Sequence, residues 1–115
     1  MLTKRQEDFR TFSETVRRTI CALGIHGSWD ITIVDKPKCK DKANCAADWK
    51  CQQAMFTFGN PDKETDLSRL AKHEVGHLLS CGFRDLVLRP FVSEDEFEHI
   101  DEWFANVMEK ILPSE

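Results

Sequence analysis

Apolar positions recur with a helical period in three stretches of the chain and alternate in two short ones. Between residues 4 and 23, Phe9, Phe12, Val16 and Ile20 follow one another at three- and four-residue steps, which places them on one helix face. Thr3 is the expected cap, with the usual first-turn carboxylate displaced to Glu7, and Gly24 suits the stop. Trp29 to Val34 alternates and is rich in β-branched residues, the pattern of a strand. Ala54 to Phe58 reads as a second strand, ended by the turn Gly59-Asn60-Pro61-Asp62. Residues 35–44 are polar and read as a loop, while Cys45 to Gln53 fits a strand, a short helix or an insertion.

A second helix is expected from Leu67 to about Ser80, capped by Asp66 or Thr65 and stopped by Gly82. Phe83 to Val92, with Arg84, Arg89 and Pro90, reads as a loop. Ser93 is a strong N-cap for the last helix, whose first turn holds Glu94, Asp95 and Glu96, where the helix dipole favours anions. That helix is expected to run to about Leu112, with Phe97, Ile100, Phe104, Val107 and Ile111 as its apolar stripe. The order predicts an α+β fold: a small β-sheet packed against an N-terminal helix, a middle helix and a C-terminal acidic helix, in a single domain spanning 1–115.

The middle helix carries His73-Glu74-Val75-Gly76-His77, an HExxH sequence. Residues four apart on a helix lie one turn above each other, so both imidazoles enter the same space. Two neutral imidazoles held that way suit one zinc ion, and Glu74 between them is placed to act as general base towards a metal-activated water. Gly76 is a weak helix former, and its lack of a side chain is expected to leave room beside His77 for the metal and water.

Composition narrows the function classes. A net charge of -4 argues against nucleic acid as a partner, because no basic surplus exists to neutralise phosphates. No apolar stretch approaches the roughly 18 residues of a membrane span, and the N-terminal residues carry charges where a signal peptide has an apolar core. A cytoplasmic location is therefore expected. The five cysteines, Cys21, Cys39, Cys45, Cys51 and Cys81, read as mostly reduced thiols. Cys39, Cys45 and Cys51 are evenly spaced but lack the tight C-x2-C of a zinc ribbon, so a second metal site is the minor reading.

A catalytic zinc takes three protein ligands and leaves a position for water. The acidic last helix is the expected donor of the third, from among Glu94, Asp95, Glu96, Glu98, His99, Asp101 and Glu102. With the apolar stripe centred between Phe97 and Phe104, Glu98 lies near its edge, Asp101 and Glu94 closer to its centre, and His99 and Glu102 further round. The wheel favours Glu98, Glu94 and Asp101 without choosing among them.

His73 to His77 followed by the segment Glu98-His99-Ile100-Asp101-Glu102-Trp103-Phe104-Ala105-Asn106 resembles the gluzincin metallopeptidases, particularly minigluzincins and the short metallopeptidase-like proteins of phages and prophages. Phe104-Ala105 is also similar to a Phe-Ala step in prophage-repressor-directed metallopeptidase domains. The resemblance implies a zincin-like fold and a third ligand opening a Glu-x-x-x-acid step. Glu98 with Glu102 fits that step, Glu98 as ligand and Glu102 as the acid supporting a histidine; Glu94 with Glu98 is the alternative. It further implies a peptide or protein substrate lying antiparallel to the strand Ala54 to Phe58, and an oxyanion donor, usually Tyr or His. The chain has no Tyr, which leaves His99, Arg84 or Arg89 for that role. The expected activity is zinc-dependent peptide hydrolysis. The alternatives are a non-catalytic or autoinhibited zinc-binding module acting through protein binding, in which Cys81 is recruited as a fourth ligand, and a metal-free binding protein.

Overall fold

Three helices and three strands follow one another as α1 (Lys4–Ala22), β1 (Asp30–Asp35), β2 (Ala43–Asp48), β3 (Gln53–Phe58), α2 (Leu67–Phe83) and α3 (Glu94–Ile111). The computed structural model describes residues 1–83 and 91–113. Most of the loop expected at Phe83 to Val92, with Arg84, Arg89 and Pro90, lies outside the described residues. The α+β class and the order of helices agree with the sequence pattern.

Local chemistry explains most of the boundaries. Thr3 caps α1 in a full capping box, but its partner is Gln6 and not a carboxylate: the Gln6 amide donates to Thr3 Oγ1 at 3.1 Å and the Thr3 amide donates to Gln6 Oε1 at 2.9 Å. Gly24 follows with a φ of +75°, a left-handed conformation that glycine adopts without strain. Asp66 caps α2, accepting from the amides of Ser68 and Arg69 at 3.1 and 3.2 Å. Ser93 and Glu96 form a second capping box at the start of α3. Gly82 does not stop α2, which continues to Phe83; it faces the Trp49 ring of the hairpin, where a Cβ would lie 3.6 Å away in ordinary van der Waals contact.

The sheet order is β1-β3-β2, with β1 parallel to β3 and β2 antiparallel to it. Residues 43–48, divided in the sequence reading between a polar loop and an undecided segment, form β2. The hairpin after it is tied by Asp48, whose Oδ1 accepts from the amides of Lys50 and Cys51 at 3.0 and 3.2 Å. This topology corrects the expected substrate edge. Ala54 to Phe58 lies in the central strand, with backbone bonds on both sides, and β1 and β2 are the edges, β2 being the one that borders the HExxH helix.

The core joins α1, the sheet and α2. Phe12, Val16 and Ile20 of α1, Phe56 and Phe58 of β3, and Val75 and Leu78 of α2 are each no more than 2% exposed. Burial of side chains of this size contributes about 1.5–3 kcal/mol each. No helix among the described residues is long and apolar enough to cross a membrane.

Candidate metal centre

The HExxH residues lie on α2, where β2 on one side and α3 on the other bound a cleft. His73, Glu74 and His77 each bring a donor atom within 4.8 Å of the others', and the two imidazole centroids are 5.0 Å apart. Helix periodicity alone places these rings on one face.

The position of α3 completes the site. His77 and Ser80 meet Asp101, while Arg69 and His73 meet Glu109, so α3 runs antiparallel to α2. The helices approach closely at Gly76. A Cβ there would lie 3.0 Å from both Ala105 Cα and Met108 Cβ. Gly76 therefore lets α3 in; the space expected beside His77 for metal and water is filled by the neighbouring helix. The consequence is functional all the same, because the close approach brings the α3 carboxylates to the imidazoles.

Each ring has two neighbours. His73 Nδ1 lies 3.0 Å from Glu109 Oε1, and His77 Nδ1 lies 3.0 Å from Asp101 Oδ1. On the other side, His73 Nε2 and His77 Nε2 face the two oxygens of Glu102 at 2.7 and 3.6 Å. A ring whose Nδ1–H donates to a carboxylate presents its Nε2 lone pair outward. Lone pairs this close to carboxylate oxygens need a proton or a cation between them. Carboxylates thus stand behind both imidazoles and one stands in front of them, around the His73-Glu74-His77 group that could hold a metal ion.

Glu74, 5% exposed, has no hydrogen-bond partner among the described residues. Burial pushes its carboxyl up to about 7, against the opposing pull of His77 and His73. For His77, burial disfavours the charged form, but the Asp101 hydrogen bond and the charges of Asp101, Glu74 and Glu102 outweigh it and raise the pKa.

Several expected site residues fall elsewhere. Glu98, expected as third ligand, lies one turn before Glu102, about 6 Å along the axis; it is exposed and makes no hydrogen bond or ion pair with either imidazole. Glu102, expected as the supporting acid, faces the Nε2 pair, and support comes from Asp101 and Glu109. Glu94, the alternative ligand, is exposed in the first turn of α3, roughly 12 Å from Glu102 along the axis. His99 is turned away, its Nδ1–H donating to the Asp95 carbonyl at 2.7 Å. Arg84 and Arg89 lie outside the described residues.

Cys81 is buried and is not part of the donor group around His77. Cys39 accepts from Asn44 Nδ2 at 3.8 Å, Cys45 lines the cleft and Cys51 is exposed. Among the described residues these cysteines form no metal-donor cluster.

Glu109 was not foreseen. It stands seven residues beyond Glu102, and residues seven apart share a helix face, so its spacing could have revealed it. The fold and the site thus define an α+β domain with a His-Glu-His donor cluster closed by carboxylates from a second helix. No protein-family model matches the chain, and a search of curated proteins finds no match.

Proposed function

We propose that this chain is a zincin-like, zinc-dependent metallopeptidase of the gluzincin type. The observation that carries this reading is the convergence of His73 and His77 Nε2 on Glu102, beside the buried carboxylate of Glu74. Two imidazoles and one carboxylate suit a zinc ion that keeps one position open. His73, His77 and Glu102 would hold it, with Glu102 taking the place assigned to Glu98 by resemblance. Bound there, zinc supplies a Lewis acid that polarises a carbonyl and makes water easier to deprotonate.

The chain's own residues do the rest. Glu74 takes a proton from the attacking water and delivers it to the leaving amine, a task suited to a carboxyl held near neutrality. Asp101 and Glu109 fix the orientation and tautomer of the imidazoles. The outer edge of β2 pairs with an extended peptide by strand addition, and its small residues, Ala43, Ala46 and Ala47, leave room for substrate side chains. Five cysteines, none in a disulfide, accord with a reducing cytoplasm as the setting.

The decisive experiment is Glu74→Gln. The variant is expected to bind zinc like the parent and to lose peptide hydrolysis by about 10²–10⁴-fold. Unchanged turnover with zinc bound would remove Glu74 from the reaction and the peptidase reading with it.

A further inference from the structure

The cleft has two lobes that share Ala43, His73, Glu74 and Glu102, and their charges differ. The larger lobe, about 530 Å³, is bordered by Lys42 and Arg69 as well as by acids. Both cations are already paired, Lys42 with Asp62 at 3.6 Å and Arg69 with Glu109 at 3.1 Å. The smaller lobe, about 330 Å³, has no lysine or arginine on its wall among the described residues; its acids are Asp41, Glu74, Asp101 and Glu102.

Three of those acids have tasks. Asp101 holds His77, Glu102 faces both Nε2 atoms, and Glu74 is the proposed base. The Asp41 carboxylate has no hydrogen-bond or ion-pair partner among the described residues. Its backbone is nevertheless held firmly. The Asp41 carbonyl accepts from the Asn60 amide at 2.9 Å, and a Cβ at position 59 would fall 2.0 Å from that carbonyl, so only Gly59 permits the contact. Asp41 stands two residues before the edge strand, where a paired peptide would pass. A separate sign that the cleft takes a ligand is Glu74, 5% exposed, which lines this lobe as well as the larger one and has no hydrogen-bond partner among the described residues. Buried polar groups are seldom left unsatisfied outside functional sites.

We propose that the smaller lobe selects peptides carrying a lysine or arginine beside the scissile bond, with Asp41 as the residue that recognises the cation. This rests on the peptidase reading and adds its substrate class. A long basic side chain can lay its apolar stem along Ala43 and Cys45 while its charge reaches Asp41. A glutamate in the same place meets like charges and is rejected. A dication held by His73, His77 and Glu102 offsets part of the negative field; Asp41, between Lys40 and Lys42 in the sequence, keeps a carboxylate with no ion pair among the described residues.

The test uses short alanine–glutamine peptides with one lysine walked through every position, and a matched glutamate series. The zinc-loaded wild type is expected to cleave the best lysine peptide about fivefold faster in kcat/KM than its glutamate counterpart, the size of one partly exposed charge pair. Asp41→Asn should reduce that preference below about twofold, and Asp41→Lys should invert it, with zinc content unchanged. Fluorescein-labelled versions of the peptides, titrated against zinc-loaded Glu74→Gln, should bind in the same order. Equal treatment of the two series, or a preference that survives Asp41→Asn, overturns the assignment. Lysine-selective binding that depends on Asp41, with no cleavage of any peptide, upholds the charge assignment and overturns the peptidase reading instead.

Discussion

Helices α1 and α3 have similar lengths, 19 and 18 residues, and both open with a capping box, yet they use their apolar residues differently. In α1 the apolar residues at four-residue spacing, Phe12, Val16 and Ile20, are buried, with Thr15 and Thr19 beside them and Phe9 partly covered. In α3 only Phe97 and Ala105 are buried, while Ile100, Trp103 and Ile111 are 37, 65 and 66% exposed. The apolar stripe sets the rotation of α1, because its core partners on the sheet and α2 are largely apolar. The rotation of α3 is set by the Gly76–Ala105 contact and by carboxylates reaching for imidazoles. Hydrogen bonds to charged groups contribute about 1.5–3 kcal/mol each, and Asp101 and Glu109 are well shielded. Fully burying an isoleucine contributes a similar amount, and Ile100 is already mostly covered. The polar contacts win, and α3 turns its acidic edge inward at the expense of apolar burial.

The largest effect expected from this contrast falls on α1. Phe12 is completely buried, with its ring centroid 5.3 Å from that of Phe58. Phe12→Ala should cost about 3–5 kcal/mol of stability, from lost burial and the cavity left behind. Urea unfolding of the metal-free protein measures it, and the folded fraction should still take up zinc. A loss under about 1 kcal/mol would mean that α1 is no part of the core and that the contrast has no basis.

The same contrast explains what the sequence disclosed and what it hid. Phe12, Val16 and Ile20 announced α1 because spacing and burial agree. The HExxH residues were readable because two ligands on one helix need only its periodicity. β2 was hidden because Ala-Asn-Cys-Ala-Ala-Asp has no β-branched or aromatic residue; it is a strand because β3 offers it a ladder, a tertiary effect that propensity does not capture. The place of Glu102 opposite the Nε2 pair was missed for a related reason. Ile100, Val107 and Ile111 were counted as core, which moved the inferred centre of the α3 stripe away from Ala105 and made Glu102 look remote. The true axis was encoded in the pairing of Gly76 with Ala105, two small residues on different helices.

A smaller effect, of another kind, is expected where α3 meets the imidazoles. Glu109 is 14% exposed and serves both His73 and Arg69. Glu109→Gln keeps the shape and an acceptor but removes the charge behind His73. Zinc affinity should fall about 10–100-fold, as it does when such supporting carboxylates are altered, which is roughly 1.4–2.7 kcal/mol. Competition against a zinc chelator measures it, and Arg69→Met controls for the lost ion pair. If Glu109→Gln and Arg69→Met weakened zinc equally, Glu109 would act through Arg69 and not through the imidazole.

The smallest effect belongs to the outer side of α3. Trp103 lies two residues before Ala105, some 200° round the helix, and so faces away from the Gly76 crossing. Trp103→Ser should change stability by no more than about 0.5 kcal/mol, the range of an exposed position, and should leave zinc affinity as it was. Trp103 flanks the apolar stripe beside Val107, so an α3 rotated to bury that stripe would cover much of its ring and raise the cost of this substitution above about 1 kcal/mol. That rotation would also carry Glu102 away from the Nε2 pair, since both residues ride on one rigid helix. A loss of that size in Trp103→Ser would therefore count against Glu102 as ligand without any metal having been measured. A small loss, set beside the large one in Phe12→Ala, would show two helices of nearly equal length obeying different rules for which face is buried.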